Sequence, residues 1–237
     1  VDTVLPNYSR NDTVEFTVTN TDSDHNFNIT ARLVYQTPIV YFFAQNGLEA
    51  DEVLVQKLVD DFDQHTYPVV REFFGNEWTP GVDDDPHLYI LYASDLGSSI
   101  AGYYSSIDQY SHLAHEFSNE KEMFYINADV VNLDDTWLPG ILAHEFQHMV
   151  HWAHDQNEDT WMNEGASVLA EFLTGNSLHR FVQSFIANPD LQLNSWSDPH
   201  VDSNATAHYG ASFLFMNYFL GRFGENATRA LVAHPST

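Results

Sequence analysis

The sequence contains no cysteine. No disulfide can brace the fold, and no thiol is on hand as a nucleophile or a ligand. Cations are nearly as scarce, with 8 Lys and Arg against 34 Asp and Glu and a formal net charge of −26. That balance excludes an electrostatic grip on nucleic acid or on an anionic membrane. It suits a secreted protein in a saline or calcium-rich setting. Long apolar runs are missing too: nothing approaches the ~20 residues a helix needs to span a bilayer. The chain opens on Val1 without an initiator Met or a signal sequence and stops in a helix-like stretch. This reads as a processed or excised piece of a longer secreted protein.

What is present is enough for a core. Of 237 residues, 43% are hydrophobic and 14% aromatic, which suits one large domain or a domain with a small appendage. Residues 1–30 are rich in Asn and Thr, and Val14–Thr19 alternates like a strand. They are expected to be a β-rich segment, the end of a preceding domain or a pro-segment, ahead of a main domain at 31–237. Ala31–Ala44 reads as a strand interrupted by Pro38. Glu49–Phe74 reads as one long amphipathic helix with Val53, Leu54, Leu58, Val59 and Phe62 on one side, ended by Gly75. Further strands are expected at His87–Ala93, at Ser99–Ser105 as an edge, and at Glu122–Ala128. Helices are expected at Thr160–Leu173, Leu178–Ala187 and His208–Gly221, with a polar loop carrying Trp196, Asp198 and His200 before the last. Asp83-Asp84-Asp85 reads as a solvated turn, with calcium binding as a second reading.

The stretch with a chemical signature is Leu138–Trp152, which holds His144-Glu145-Phe146-Gln147-His148. Residues four apart share a helix face, so both imidazoles can reach one metal ion. Glu145, one step from His144, sits beside that ion without binding it and can take a proton from a water held there. Pro139 suits an early helical position, and the apolar residues between recur with helical period.

Two histidines need a third protein ligand, and two candidates compete. His154 has the spacing found in metzincins, but His151 stands where that geometry needs a glycine to turn the chain. Glu164, in Trp161-Met162-Asn163-Glu164-Gly165, follows after enough chain for a turn and the start of a second helix, and it is the preferred candidate. Glu171 lies two turns beyond it on the same face and could orient a ligating histidine. Asp155 and Asp159 are weaker candidates for that task, and His151 reads as a helix-end residue.

H-E-x-x-H followed by W-x-N-E-G resembles the gluzincin metallopeptidases. The first block, His144 to Met149, is similar to the hyicolysin group of secreted bacterial neutral peptidases. The second, Trp161 to Glu171, is similar to the aminopeptidase-N group. The resemblance covers residues 139–173 and is faint elsewhere. It implies an α+β, zincin-like catalytic domain, with a small mixed sheet packed on the active-site helix and a mostly helical C-terminal part. It implies Zn²⁺, a glutamate as third ligand, and a protein or peptide as substrate. It also implies a Tyr or His opposite the metal to support the oxyanion, for which Tyr209 is the first choice and His208 the second. In such enzymes an edge strand pairs with the extended substrate, a role assigned here to Ser99–Ser105. The aminopeptidases carry an acidic residue in the matching segment. None stands between Ser98 and Ile107, which favours an endopeptidase. The alternatives are a zinc aminopeptidase, a metzincin-type peptidase using His154, and a non-catalytic metal-binding module.

Overall fold

Alternating apolar residues in the first strands and continuous apolar runs in the middle ones set the layout of a single six-stranded sheet. A computed structural model describes residues 6–196 and 205–234. The chain divides into two compact units, Val1–Gln64 with Trp78–Leu138, and His65–Glu77 with Pro139–Thr237. Both helices and sheet are present, so the class is mixed α/β.

The first unit carries the sheet. Its strands are β1 (Thr13–Asn20), β2 (His25–Gln36), β3 (Val40–Gln45), β4 (Leu88–Ala93), β5 (Gly102–Tyr104) and β6 (Met123–Asn127), ordered β1-β2-β3-β4-β6-β5. β1, β2 and β3 are antiparallel neighbours, β3-β4-β6 run parallel, and β5 returns antiparallel at the edge. β4 and β6 are buried along their whole length. That is why they read as unbroken apolar runs rather than as alternation. One face packs Phe16, Ile29, Leu33, Phe43, Leu91 and Tyr125 into a common core. On β1 only every second residue, Phe16 and Val18, is fully buried, the pattern of a strand with one wet face.

Two expectations change here. The interrupted strand at Ala31–Ala44 is a hairpin. Pro38 sits in the turn between β2 and β3, where the Thr37 hydroxyl accepts the Ile39 and Val40 N–H groups. The single helix from Glu49 to Phe74 is three pieces: α1 (Glu52–Asp61), a π-helical turn at Phe62–Thr66, and α2 (Tyr67–Phe74). Asp51 caps α1 by accepting the Val53 and Leu54 N–H groups at 2.8 and 3.2 Å. Pro68, at the start of α2, has no N–H to continue the α ladder, and the chain relaxes into the wider turn before it. Leu58, Val59 and Phe62 of the expected apolar face are buried, joined by Val55, while Val53 is exposed.

Asp83 and Asp85 bond within their own turn. Asp83 accepts the Asp85 N–H, Asp85 accepts the His87 N–H, and Lys121 pairs with Asp83 at 3.2 Å. Nearby, Glu122 Oε1 accepts the Val82 N–H at 3.0 Å, whereas Oε2 is buried with no hydrogen-bond partner among the described residues. Gly81, at φ +87°, leaves room for that carboxyl: a Cβ there would lie 1.7 Å from Oε2. Burial pushes the Glu122 carboxyl up to about 7. Its folded pKa is thus above its unfolded value, so the stability it confers is present below about 4.5 and fades as pH rises through about 7. Glu122→Gln does not titrate and can keep the Val82 bond. Above pH 7 it should stabilise the fold by up to about 3 kcal/mol at 1.36 kcal/mol per pH unit. Urea melts at pH 5 and pH 8 check this: the gain should appear at pH 8 and shrink at pH 5.

The second unit is helical: α2, α3 (Leu138–His154), α4 (Thr160–Leu173), α5 (His179–Ala187), α6 (Ala205–Phe223) and α7 (Glu225–Val232). Tyr67 of α2 stacks on Phe146 of α3 with ring centroids 5.2 Å apart. Its hydroxyl donates to Glu77 at 2.9 Å and accepts from Arg71 at 2.7 Å. Gly75 ends α2 at φ +102°, close against the His154 ring. Among the described residues no helix is long and apolar enough to cross a membrane.

Candidate metal centre

α3 is buried over most of its surface through Leu138, Leu142, Ala143, Phe146, Met149 and Val150. His144 and His148 form the half-buried strip between, with ring centroids 4.7 Å apart. α4 is the helix expected, with Asp159 as its N-cap residue. Its spacing sends Glu164, Ser167 and Glu171 toward α3 and Gly165 toward α6. A Cβ on Gly165 would lie 3.0 Å from Met216 Cγ and 3.1 Å from the Ser212 carbonyl oxygen. The glycine of the N-E-G block therefore lets α4 press against α6.

Glu164 Oε2 lies 3.1 Å from His144 Nε2 and 3.5 Å from His148 Nε2. These three residues form the metal-capable group among the described residues, with donor atoms all within 4.8 Å of one another. The far side of each imidazole is held. Glu171 Oε1 is 2.9 Å from His144 Nδ1. His148 Nδ1 faces Asn163 Oδ1 and Ser167 Oγ, each at 3.0 Å. With each Nδ1 held by oxygens on its far side, both Nε2 atoms face one place, the Glu164 oxygen, which is the convergence a tetrahedral ion needs. The residues present therefore fit a divalent ion.

Charge follows the same geometry. Burial would raise the Glu164 carboxyl, but attraction to His148 and hydrogen bonds from both imidazoles outweigh it and hold the group well below the usual carboxylate range. Burial disfavours a charged His144, yet its bonds to Glu164 and Glu171 prevail and raise it. Glu145 is 7% exposed, and burial raises its carboxyl against the pull of the two histidines. A carboxylate with raised proton affinity beside the donor set is suited to take and return a proton.

Tyr209, on α6, lies with its ring 6.1 Å from that of His144. Burial, then the charges of Glu164, Glu145 and Glu171, raise its phenol well above the usual value, so it keeps its proton as a donor. His208 is buried against Trp196, ring centroids 5.4 Å apart, and its Nδ1 has no partner among the described residues. The ring of Tyr209 thus lies beside His144, and that of His208 beside Trp196. Asp198 and His200 lie outside the described residues.

His154 is not in the donor group. α3 continues through His151 without a turn, which carries His154 six residues, ~9 Å, along the axis from His148. His151, expected as a helix-end residue, is 1% exposed and buried between the helices, and burial lowers its pKa to about 4. Glu158 is its nearest carboxylate, at 3.9 Å. Asp155 accepts the Asn157 N–H, and Asp159 opens α4. Sequence reasoning misses Asn163 and Ser167. The signal that could find Asn163 is its place beside Glu164 in the same block.

No protein-family model matches the chain. The chain is similar to the neutral metalloprotease ShpI of Staphylococcus hyicus, with 27% identity over an alignment that covers 90% of this chain and 52% of the relative. It spans about half the length of that relative.

Proposed function

We propose that the chain is a metal-dependent peptidase that uses zinc and acts as an endopeptidase on protein or peptide substrates. The observation that carries the reading is the convergence of His144, His148 and Glu164 with Glu145 alongside. The similarity to a neutral metalloprotease supports the same class. His144 Nε2, His148 Nε2 and a Glu164 oxygen would hold the ion. When bound, zinc supplies Lewis acidity, polarising a carbonyl oxygen and lowering the pKa of water. Glu145 takes the proton of the attacking water on its carboxylate and delivers it to the leaving nitrogen. The Tyr209 hydroxyl donates to the oxygen on which charge develops. Glu171, Asn163 and Ser167 keep the imidazoles turned so that Nε2 and not Nδ1 faces the ion.

A zincin-like domain over residues 31–237 is part of this proposal, as is an extracellular setting, supported by the net charge of −26. The endopeptidase reading rests on the lack of any acidic residue between Ser98 and Ile107 to hold a free amine. The test is hydrolysis of casein and of peptides with blocked or free N-termini, before and after chelation and with zinc restored. Cleavage of blocked peptides that chelation abolishes and zinc restores is the expected result. Chelator-resistant cleavage removes the metal reading, and cleavage of free-amine peptides alone replaces endopeptidase with aminopeptidase.

A further inference from the structure

The geometry points to Gln147, between Glu145 and His148, as a positioning residue that sets the tautomer of His148 through Ser167, a role that rests on the metal site proposed above. Gln147 and Ser167 are both fully buried. The Ser167 hydroxyl is 2.5 Å from Gln147 Oε1, 3.0 Å from His148 Nδ1 and 3.1 Å from the Asn163 carbonyl oxygen. A hydroxyl has one proton to give. Gln147 Oε1 is the nearest acceptor and takes it, so the side of Ser167 Oγ that faces His148 is a lone pair. A lone pair there favours the imidazole that carries its proton on Nδ1. Asn163 Oδ1, also an acceptor, faces the same atom. Nε2 is then left as the free donor beside Glu164.

Removing the Gln147 acceptor frees the hydroxyl proton. Ser167 can then donate to His148 Nδ1 and favour the tautomer with its proton on Nε2, which cannot ligate through that atom. A second observation agrees. The Gln147 amide is only half satisfied: its Nε2 is buried with no hydrogen-bond partner among the described residues. Such a group is destabilising, and an apolar side chain would fill the place without that cost. What an apolar side chain could not provide is the oxygen that Ser167 uses.

The test is zinc affinity, measured on the full chain by competition with a chelating dye, with melting temperatures of the metal-free proteins alongside. Gln147→Met, similar in length but without the acceptor, should weaken zinc binding by about 10- to 100-fold, the range of outer-sphere changes at metal sites. Adding Ser167→Ala should restore much of the loss, because the misdirected hydroxyl is gone and Asn163 still accepts from Nδ1. Gln147→Glu, which keeps an oxygen in place, should bind zinc within a few-fold of the parent. The proposal is overturned if Gln147→Met binds like the parent or if the double variant binds no better than Gln147→Met. It is also overturned if Gln147→Glu folds yet loses zinc, a result that stands even should Gln147→Met not fold. A parent chain that binds no zinc overturns this inference together with the metal site. A parent that binds zinc with unaffected variants overturns this inference alone.

Discussion

Glu145→Gln should retain zinc at the parent's affinity and lose turnover by about 10²- to 10⁴-fold, the usual contribution of a positioned general base. The substitution keeps shape and removes only the ability to accept a proton. Glu145 is not among the three converging donors, so metal content is not expected to fall. The loss should lie in kcat with KM little changed, since no ground-state contact to substrate is removed. Metal content, kcat and KM measured on one preparation check all three statements. A variant that cleaves casein at near the parental rate removes Glu145 from the proton path.

Glu164→Ala should abolish tight zinc binding. Glu164 supplies the only anionic oxygen in the donor group, and its carboxyl is held ionised by the imidazoles around it. Outer-sphere changes at such sites weaken the metal by about 10- to 100-fold, so loss of a direct ligand should exceed about 100-fold. Thermal stability gives a second readout. Free zinc at a thousand times Kd stabilises the folded chain by about 4 kcal/mol, and at ten times Kd by only about 1.4 kcal/mol. The zinc-dependent rise in melting temperature should therefore collapse in the variant at a concentration that saturates the parent. An undiminished rise would place the third ligand elsewhere.

Local rules make much of this molecule legible in its sequence. The spacing of His144 and His148 is a helix-face argument that needs no tertiary information. α4 can be bounded because Asp159 and Gly175 flank a periodic segment, and the parallel strands because burial on both faces leaves unbroken apolar runs. What stays hidden depends on one element meeting another. Asn163 and Ser167 read as ordinary helix residues until α4 is set against α3 and both meet His148 Nδ1. His151 reads as a helix-end residue because its place near the end of α3 says nothing of its burial, which is nearly complete in the fold. Pro38 is legible as an interruption, but only the register of β2 on β3 makes it a reversal.

At Gly165 nothing but hydrogen separates the backbone of α4 from Ser212 and Met216 of α6. Glu164 is the residue just before it, so the stacking of two helices sets its backbone while His144 and His148 hold its carboxylate. Retuning the ion's surroundings without touching a donor would therefore start from α6, where the shapes of residues 212 and 216 act as a shim beneath the carboxylate.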